Sequence, residues 1–144
     1  MLIEFNPTES LKLPHLTIEY SANLEQRTDI AALVEAMHDA ASRIDLLPVG
    51  GLRTRAERRD LYRVADSHPD NAFVNVTLRI APTRSVDERK AIGERLFETL
   101  TVFLAPVYET SPIALSLEIQ ELDADMRWKK GNLRDHMVRR RGQG

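Results

Sequence analysis

The chain has 144 residues, of which 42% are hydrophobic and 29% are charged, and its formal net charge is −2. This length and composition are typical of a single globular domain, and a charge so close to zero gives no reason to expect nucleic acid or an anionic membrane as a partner. Because the chain has no cysteine, disulfide frameworks and thiolate nucleophiles are excluded.

The sequence also indicates where the protein works. Its first residues lack the basic region and continuous apolar stretch of a signal peptide. No run approaches the roughly 18 apolar residues that a membrane span needs. Together with the absence of cysteine, these features lead us to expect a cytoplasmic protein with no membrane partner.

The first half of the chain predicts a strand, a helix and a second extended segment. Residues 16–20 alternate apolar and polar, which is typical of a strand. Apolar residues then recur at three- and four-residue steps over residues 30–44, which predicts a helix. Proline and paired glycines end this helix, and a short extended piece over residues 52–56 follows. Residues 57–70 are charged and poorly periodic, and we interpret them as a turn, a loop or a short edge hairpin.

The second half repeats this plan. Residues 73–80 alternate cleanly and predict a strand. Ser85 and Glu88 have the spacing of a capping box, which predicts a helix start, and Pro106 marks the predicted end of that helix. Residues 115–120 alternate again and predict the last strand.

Two strand–helix–strand units predict an α+β fold with one four-stranded sheet. Strands joined through a helix are usually parallel, and both helices then lie on one face of the sheet. The other face is predicted to be polar, so that water or a partner subunit could cover it. Its predicted residues are Thr17, Glu19, Asn75, Thr77, Arg79, Ser116, Glu118 and Gln120.

Residues 127–144 form a basic tail. It contains Arg134, Arg139, Arg140 and Arg141. A nucleic-acid patch is one interpretation, but a solvated and partly disordered terminus fits a tail of this kind better. We therefore divide the chain into an extension (residues 1–13), a domain (residues 14–126) and this tail.

Five segments in order resemble the 5-carboxymethyl-2-hydroxymuconate isomerases of the tautomerase superfamily. They are Pro14 with the strand after it, and residues 47–55, 71–80, 81–85 and 115–122. The similarity runs over residues 14–132. It implies a duplicated β-α-β fold with a four-stranded mixed sheet, and a homotrimer whose active sites lie near the N-terminal prolines.

The resemblance also implies a cofactor-independent reaction that moves a proton within an unsaturated di- or tricarboxylate, as in the breakdown of hydroxyphenylacetate-type aromatics. Pro14 would be the base. Arg53 and Arg84 would bind a carboxylate and stabilise a developing enolate, in either order. His15 would line the pocket. Without the resemblance, Pro14 is simply the start of a strand and both arginines are surface residues.

Thirteen residues precede Pro14, and a proline inside a chain has an amide nitrogen that is no base. Leu13 suggests one explanation, because bacteria initiate at some leucine codons, and removal of the resulting Met would expose Pro14. In the other explanation Met1 is the true start. With residues 1–13 attached, we expect little proline-dependent activity.

Two other functions remain open. The protein could be a non-catalytic trimeric relative that binds an anion through Arg53 and Arg84. It could also be a tautomerase of another enol, for instance of the phenylpyruvate type. The state of the Pro14 nitrogen separates catalysis from simple binding, and the use of both arginines separates the polycarboxylate from other substrates.

Overall fold

The computed structural model describes residues 14–47, 49–82 and 84–143, so the predicted extension lies outside the described residues. The first half contains β1 (His15–Ser21), a 3-10 turn (Ala22–Gln26), α1 (Ile30–Ser42), a second 3-10 turn (Val49–Gly51) and β2 (Arg53–Arg59). The second half contains β3 (Ala72–Ile80), α2 (Val86–Phe103), the short α3 (Ala105–Thr110), β4 (Ile113–Glu121) and α4 (Leu133–Gln143).

The four strands form one mixed sheet in the order β2-β1-β3-β4. Within each half the two strands are parallel, as predicted for strands joined through a helix. The two inner strands are antiparallel, with His15 opposite Arg79. This topology confirms the α+β class and the duplicated strand–helix–strand plan.

The core lies between one face of the sheet and helices α1 and α2. The alternating residues of the inner strands β1 and β3 that face the helices are buried, those of β4 are half-buried, and they meet the apolar stripes of both helices. These residues include Leu16, Ile18, Val76, Leu78, Leu33, Met37, Leu96 and Leu100. Full burial of an aliphatic side chain of this size stabilises the fold by about 1.5–3 kcal/mol. The opposite face of the sheet is largely polar and includes Thr17, Thr77 and Glu118.

Local hydrogen bonds set where the helices begin. The side chain of Asp29 accepts the Ala32 N–H at 3.1 Å and caps α1. The predicted capping box at α2 is confirmed, because Ser85 and Glu88 each accept the backbone N–H of the other at 3.1 Å. Helix α2 ends slightly before the predicted proline. Pro106 instead lies in the first turn of α3, where its missing N–H costs nothing.

Strand β2 is longer than its sequence indicates. The extended piece predicted over residues 52–56 continues to Arg59 through charged residues. Ion pairs with neighbouring elements hold this part, since Arg59 Nε lies 2.7 Å from Glu19 Oε2 and Arg58 Nη1 lies 3.0 Å from Glu25 Oε2. A charged edge strand also resists pairing with other chains.

The basic tail differs from the expected irregular terminus, because residues 133–143 form helix α4. Asp135 in its first turn and Arg140 and Arg141 in its last turn complement the helix dipole. The helix contacts the 3-10 turn before β2, and its residues are mostly exposed, in keeping with a solvated tail. Across the described ranges, no helix combines the length and apolar character required to cross a membrane.

Candidate functional site

The register of the sheet collects the predicted site residues at one end. Strands β1 and β2 begin at this end, and β3 and β4 finish there. Pro14 directly precedes β1 and is buried, and its carbonyl accepts the Arg53 N–H at 3.2 Å. Arg84 follows β3 on the connection to α2. The sheet therefore places Pro14 beside the first residue of β2.

A cavity of about 430 Å³ lies at this end, on the face of the sheet opposite the helices. The strands supply one wall, and the segment that follows β4 supplies the other. The lining residues are His15, Arg53, Arg79, Leu122, Asp123, Met126, Arg127, Trp128, Lys129 and Lys130. Its charged side chains are cationic apart from Asp123, so the cavity is suited to an anion.

His15 is held between two guanidinium groups. Arg53 Nη1 lies 3.2 Å from its Nε2, and Arg55 Nη1 lies 3.3 Å from its Nδ1. Partial burial and then the charges of Arg53 and Arg55 lower the pKa of His15 from 6.5 to about 4. The ring is therefore neutral at pH 7. A neutral imidazole has one acceptor nitrogen, so only one of the two arginines can donate to it.

The far wall of the cavity is also short of negative charge. Burial, followed by repulsion from Arg53 and Arg79, lowers the pKa of Arg127. Burial, followed by repulsion from Arg127 and Arg53, lowers the pKa of Lys129. The Nη1 atom of Arg127 is buried and has no hydrogen-bond partner among the described residues. Leaving such a donor unpaired is costly, and an anionic ligand would relieve that cost.

Arg84 is not brought together with Arg53. Its Nη2 donates to the carbonyl of Leu46, in the connection between α1 and β2, and its side chain is half-buried. Arg84 does not line the cavity that Arg53 and His15 share. To reach a ligand there, the Arg84 side chain would have to leave Leu46.

The sequence-based prediction of the site missed most of its cations. Arg79 was visible as a residue of the polar face but not as a site residue, because only the sheet register places it beside His15. The sequence places Arg127, Trp128 and Lys129 in the predicted solvated tail. A cluster of basic residues around the single tryptophan of the chain was the available signal.

Two other cavities have different linings. A groove of about 570 Å³ runs between α2 and β4 and is bordered by Phe97, Leu117 and Ile119. A third cavity, of about 410 Å³, lies at the opposite end of the sheet and is lined in part by Asn71 and Ile113. Neither contains a predicted site residue. In the described part of the chain, no three His, Cys, Asp or Glu side chains are grouped so that they could hold a metal ion.

Comparisons with known proteins agree on one family. The family model of 5-carboxymethyl-2-hydroxymuconate isomerase matches residues 14–137, so the match begins at Pro14. The 5-carboxymethyl-2-hydroxymuconate Delta-isomerase of Escherichia coli is 32% identical over 121 residues, which cover 84% of this chain and 96% of the relative.

Solved structures give the same result. The crystal structure of a 5-carboxymethyl-2-hydroxymuconate isomerase from Deinococcus radiodurans R1 is 37% identical, with a TM-score of 0.81 over 88% of this chain and 96% of that one. Another crystal structure, of a 5-carboxymethyl-2-hydroxymuconate delta-isomerase, is 26% identical, with a TM-score of 0.83 over 90% of this chain and 96% of that one. In both comparisons, sequence and fold therefore match over most of this chain and most of the other protein.

Proposed function

The chain belongs to the 5-carboxymethyl-2-hydroxymuconate isomerase family, and from this premise we propose that it isomerises a small unsaturated polycarboxylate such as 5-carboxymethyl-2-hydroxymuconate. The reaction moves a proton and a double bond within one molecule, so it neither gains nor loses a group. The observation that carries the proposal is the cationic cavity lined by His15 and Arg53, because Pro14 directly precedes His15 and its carbonyl accepts the Arg53 N–H.

Pro14 is the proposed base. In a chain that begins at Pro14, its secondary amine can take a proton from one position of the substrate and return it at another carbon. An amine whose pKa lies near the working pH is efficient in both steps, and burial of the kind seen at Pro14 lowers the pKa of an amine. In a chain that retains Leu13, the same nitrogen is an amide and cannot serve.

Arg53 is the proposed carboxylate anchor, because its guanidinium lines the cavity and remains charged at any relevant pH. Neutral His15 can donate or accept one hydrogen bond at the substrate. Arg84 is proposed to stabilise the enolate oxygen after it releases the Leu46 carbonyl.

The direct test compares three proteins with 5-carboxymethyl-2-hydroxymuconate as substrate, followed by ultraviolet absorbance. They are a chain that begins at Pro14, a chain that begins one residue earlier at Leu13, in which the Pro14 nitrogen is an amide, and the chain with residues 1–13 attached. We expect turnover from the first alone, with at least a 100-fold lower kcat/KM in the other two, since general acid–base catalysis contributes about 10²–10⁴-fold. Equal turnover by all three would rule out Pro14 as the base.

The main alternative is a binding protein that keeps the fold and holds an anion in the same cavity. The cationic lining supports this function equally, because it does not involve the Pro14 nitrogen. A protein that binds polycarboxylates but leaves the substrate unchanged, even in the chain that begins at Pro14, would favour it. Turnover of a phenylpyruvate-type enol alone would favour the third possibility.

We also propose that the protein is a homotrimer. Helices α1 and α2 pack on one face of the sheet, and its largely polar other face could contact further copies of the chain. The cytoplasm remains the proposed location.

A further inference from the structure

We propose that Arg79, Arg127 and Lys129 form a second anion subsite beside Arg53, so that the cavity holds two carboxylates of one small ligand. The proposal deepens the proposed function and relies on it only for the identity of the natural ligand. Binding itself does not depend on the Pro14 nitrogen.

The subsite draws on two walls of the cavity. Arg53 and Arg79 come from β2 and β3 and flank His15 of β1 in the sheet register. Arg127 and Lys129 come from the segment after β4 and complete the lining opposite the strands. A ligand between the walls would therefore contact cations on both sides.

The number of donors exceeds what one carboxylate can use. A carboxylate has two oxygens, and a single forked arginine occupies both of them. The cavity presents three guanidinium groups and the ammonium groups of Lys129 and Lys130 against the carboxylate of Asp123. A second ligand carboxylate would supply the missing acceptors.

Individual donors in the cavity also lack partners. The Nη1 atom of Arg127 is buried without a hydrogen-bond partner in the described ranges. At His15, either Arg53 or Arg55 faces a nitrogen that carries a proton, because the ring is neutral. Both deficiencies are for an acceptor. Arg53 and Arg127 line the cavity, so ligand carboxylates there would supply acceptors to these two arginines. The volume of about 430 Å³ is within the usual range for sites of small molecules.

Trp128 provides a direct measurement. It is the only tryptophan of the chain, it lines the cavity, and 85% of its surface is exposed, so a ligand should change its fluorescence. The probe is propane-1,2,3-tricarboxylate, which has no double bond to isomerise, added to the full chain. We expect a saturable change, and at least tenfold weaker binding of propionate, which has a single carboxylate.

Variants assign the binding to the subsite. Arg127→Gln and Arg79→Gln should each weaken tricarboxylate binding by about 10–100-fold, the loss expected for a charge-assisted hydrogen bond. Arg127→Lys, which keeps the charge but not the fork, should fall in between. Arg139→Gln on the exposed α4 is the matched control and should bind as the original chain does, with circular dichroism confirming that every variant is folded.

Any one of several outcomes would overturn the proposal. They are no saturable fluorescence change, equal losses in Arg127→Gln and Arg139→Gln, or propionate binding as tightly as the tricarboxylate. A change of sedimentation mass in Arg127→Gln with unchanged binding would also overturn it, because Arg127 would then act between copies of the chain. Binding without turnover in the chain that begins at Pro14 would contradict the proposed function and leave the subsite standing. Turnover by the chain that begins at Pro14, together with unchanged tricarboxylate binding in Arg127→Gln, would contradict the subsite and leave the proposed function standing.

Discussion

His15 shows how burial and neighbouring charges change the pKa of one side chain. Its ring is half-buried beside Arg53 and Arg55, and a positive charge on the ring would add to theirs. The pKa of about 4 follows from burial first and from these neighbours second. In the unfolded chain the pKa of His15 has its ordinary value of 6.5. Protonation of His15 therefore favours the unfolded chain.

This opposition predicts a pH-dependent stability. Between pH 6.5 and about 4, His15 binds a proton in the unfolded chain but not in the folded chain. The free energy of unfolding therefore falls as the pH falls through that window. His15→Gln removes the effect. Between pH 7.5 and pH 4.5, we expect the free energy of unfolding to fall less in the variant than in the original chain. The difference should be on the order of 1 kcal/mol after allowance for solvent screening.

Urea denaturation at the two pH values measures this difference. His136→Gln on the exposed α4 is the control for replacing a histidine elsewhere. If His15→Gln and the original chain lose stability in parallel on acidification, the ring is not held neutral by its surroundings.

The residues of the site differ in how far the sequence reveals them. Pro14 and Arg53 were predicted from the resemblance, and the structure places them in contact through a backbone hydrogen bond. Their roles stay predictions. Arg79 and Arg127 could not be inferred, because they come together only when the sheet and the segment after β4 are folded.

At the scale of elements, the capping box of α2 gives a second prediction. Ser85→Ala removes the acceptor of the Glu88 N–H and leaves that donor to solvent. We expect the free energy of unfolding to fall by about 1 kcal/mol, measured by urea denaturation at pH 7. Ser42→Ala, at the last residue of α1, is the control and should change it by less than about 0.5 kcal/mol. Equal losses in both variants would show that the capping box does not stabilise the folded chain.

Elements with a regular apolar period were predictable, and the charged ones were not. The alternation before Ile80 and the capping box at Ser85 each indicate one structure, because burial and local hydrogen bonds fix them. The second half of β2 has no such pattern. Its extended form depends on pairing with β1, to which ion pairs with Glu19 and Glu25 add, and all of these partners are distant in sequence. Helix α4 likewise carries no apolar stripe, so its sequence resembles that of a solvated tail.

For the whole molecule, assembly would depend on the polar face of the sheet, which lies opposite α1 and α2. If three chains associate through it, sedimentation should give three times the 16.4 kDa of one chain. Thr77→Lys, in the middle of that face, should then lower the mass toward that of a single chain, because a buried lysine without a partner is costly. Thr101→Lys on α2 is the matched control. A single-chain mass for the original protein would refute the trimer.

The division of the chain into domain and tail also bears on the whole molecule. The boundary predicted after residue 126 passes through the cavity, since Arg127 and Trp128 line it together with His15. Truncation at residue 126 would therefore remove one wall of the proposed site. The boundary stays a prediction for folding, but it does not separate the site from the tail.

The two halves of the chain also suggest an evolutionary history. The pairing of Phe73 with Ala114 at the far end of the sheet matches that of His15 with Arg53 in strand position and face, so Ala72 and Ala114 stand where the first half has Pro14 and Arg53. The Ala72 N–H donates to the Pro112 carbonyl at 3.0 Å. Chain continuity makes the nitrogen of residue 72 a permanent amide. If the halves descend from one ancestral unit, selection could retain an amine catalyst at only one of the two ends, and the other was free to become scaffolding.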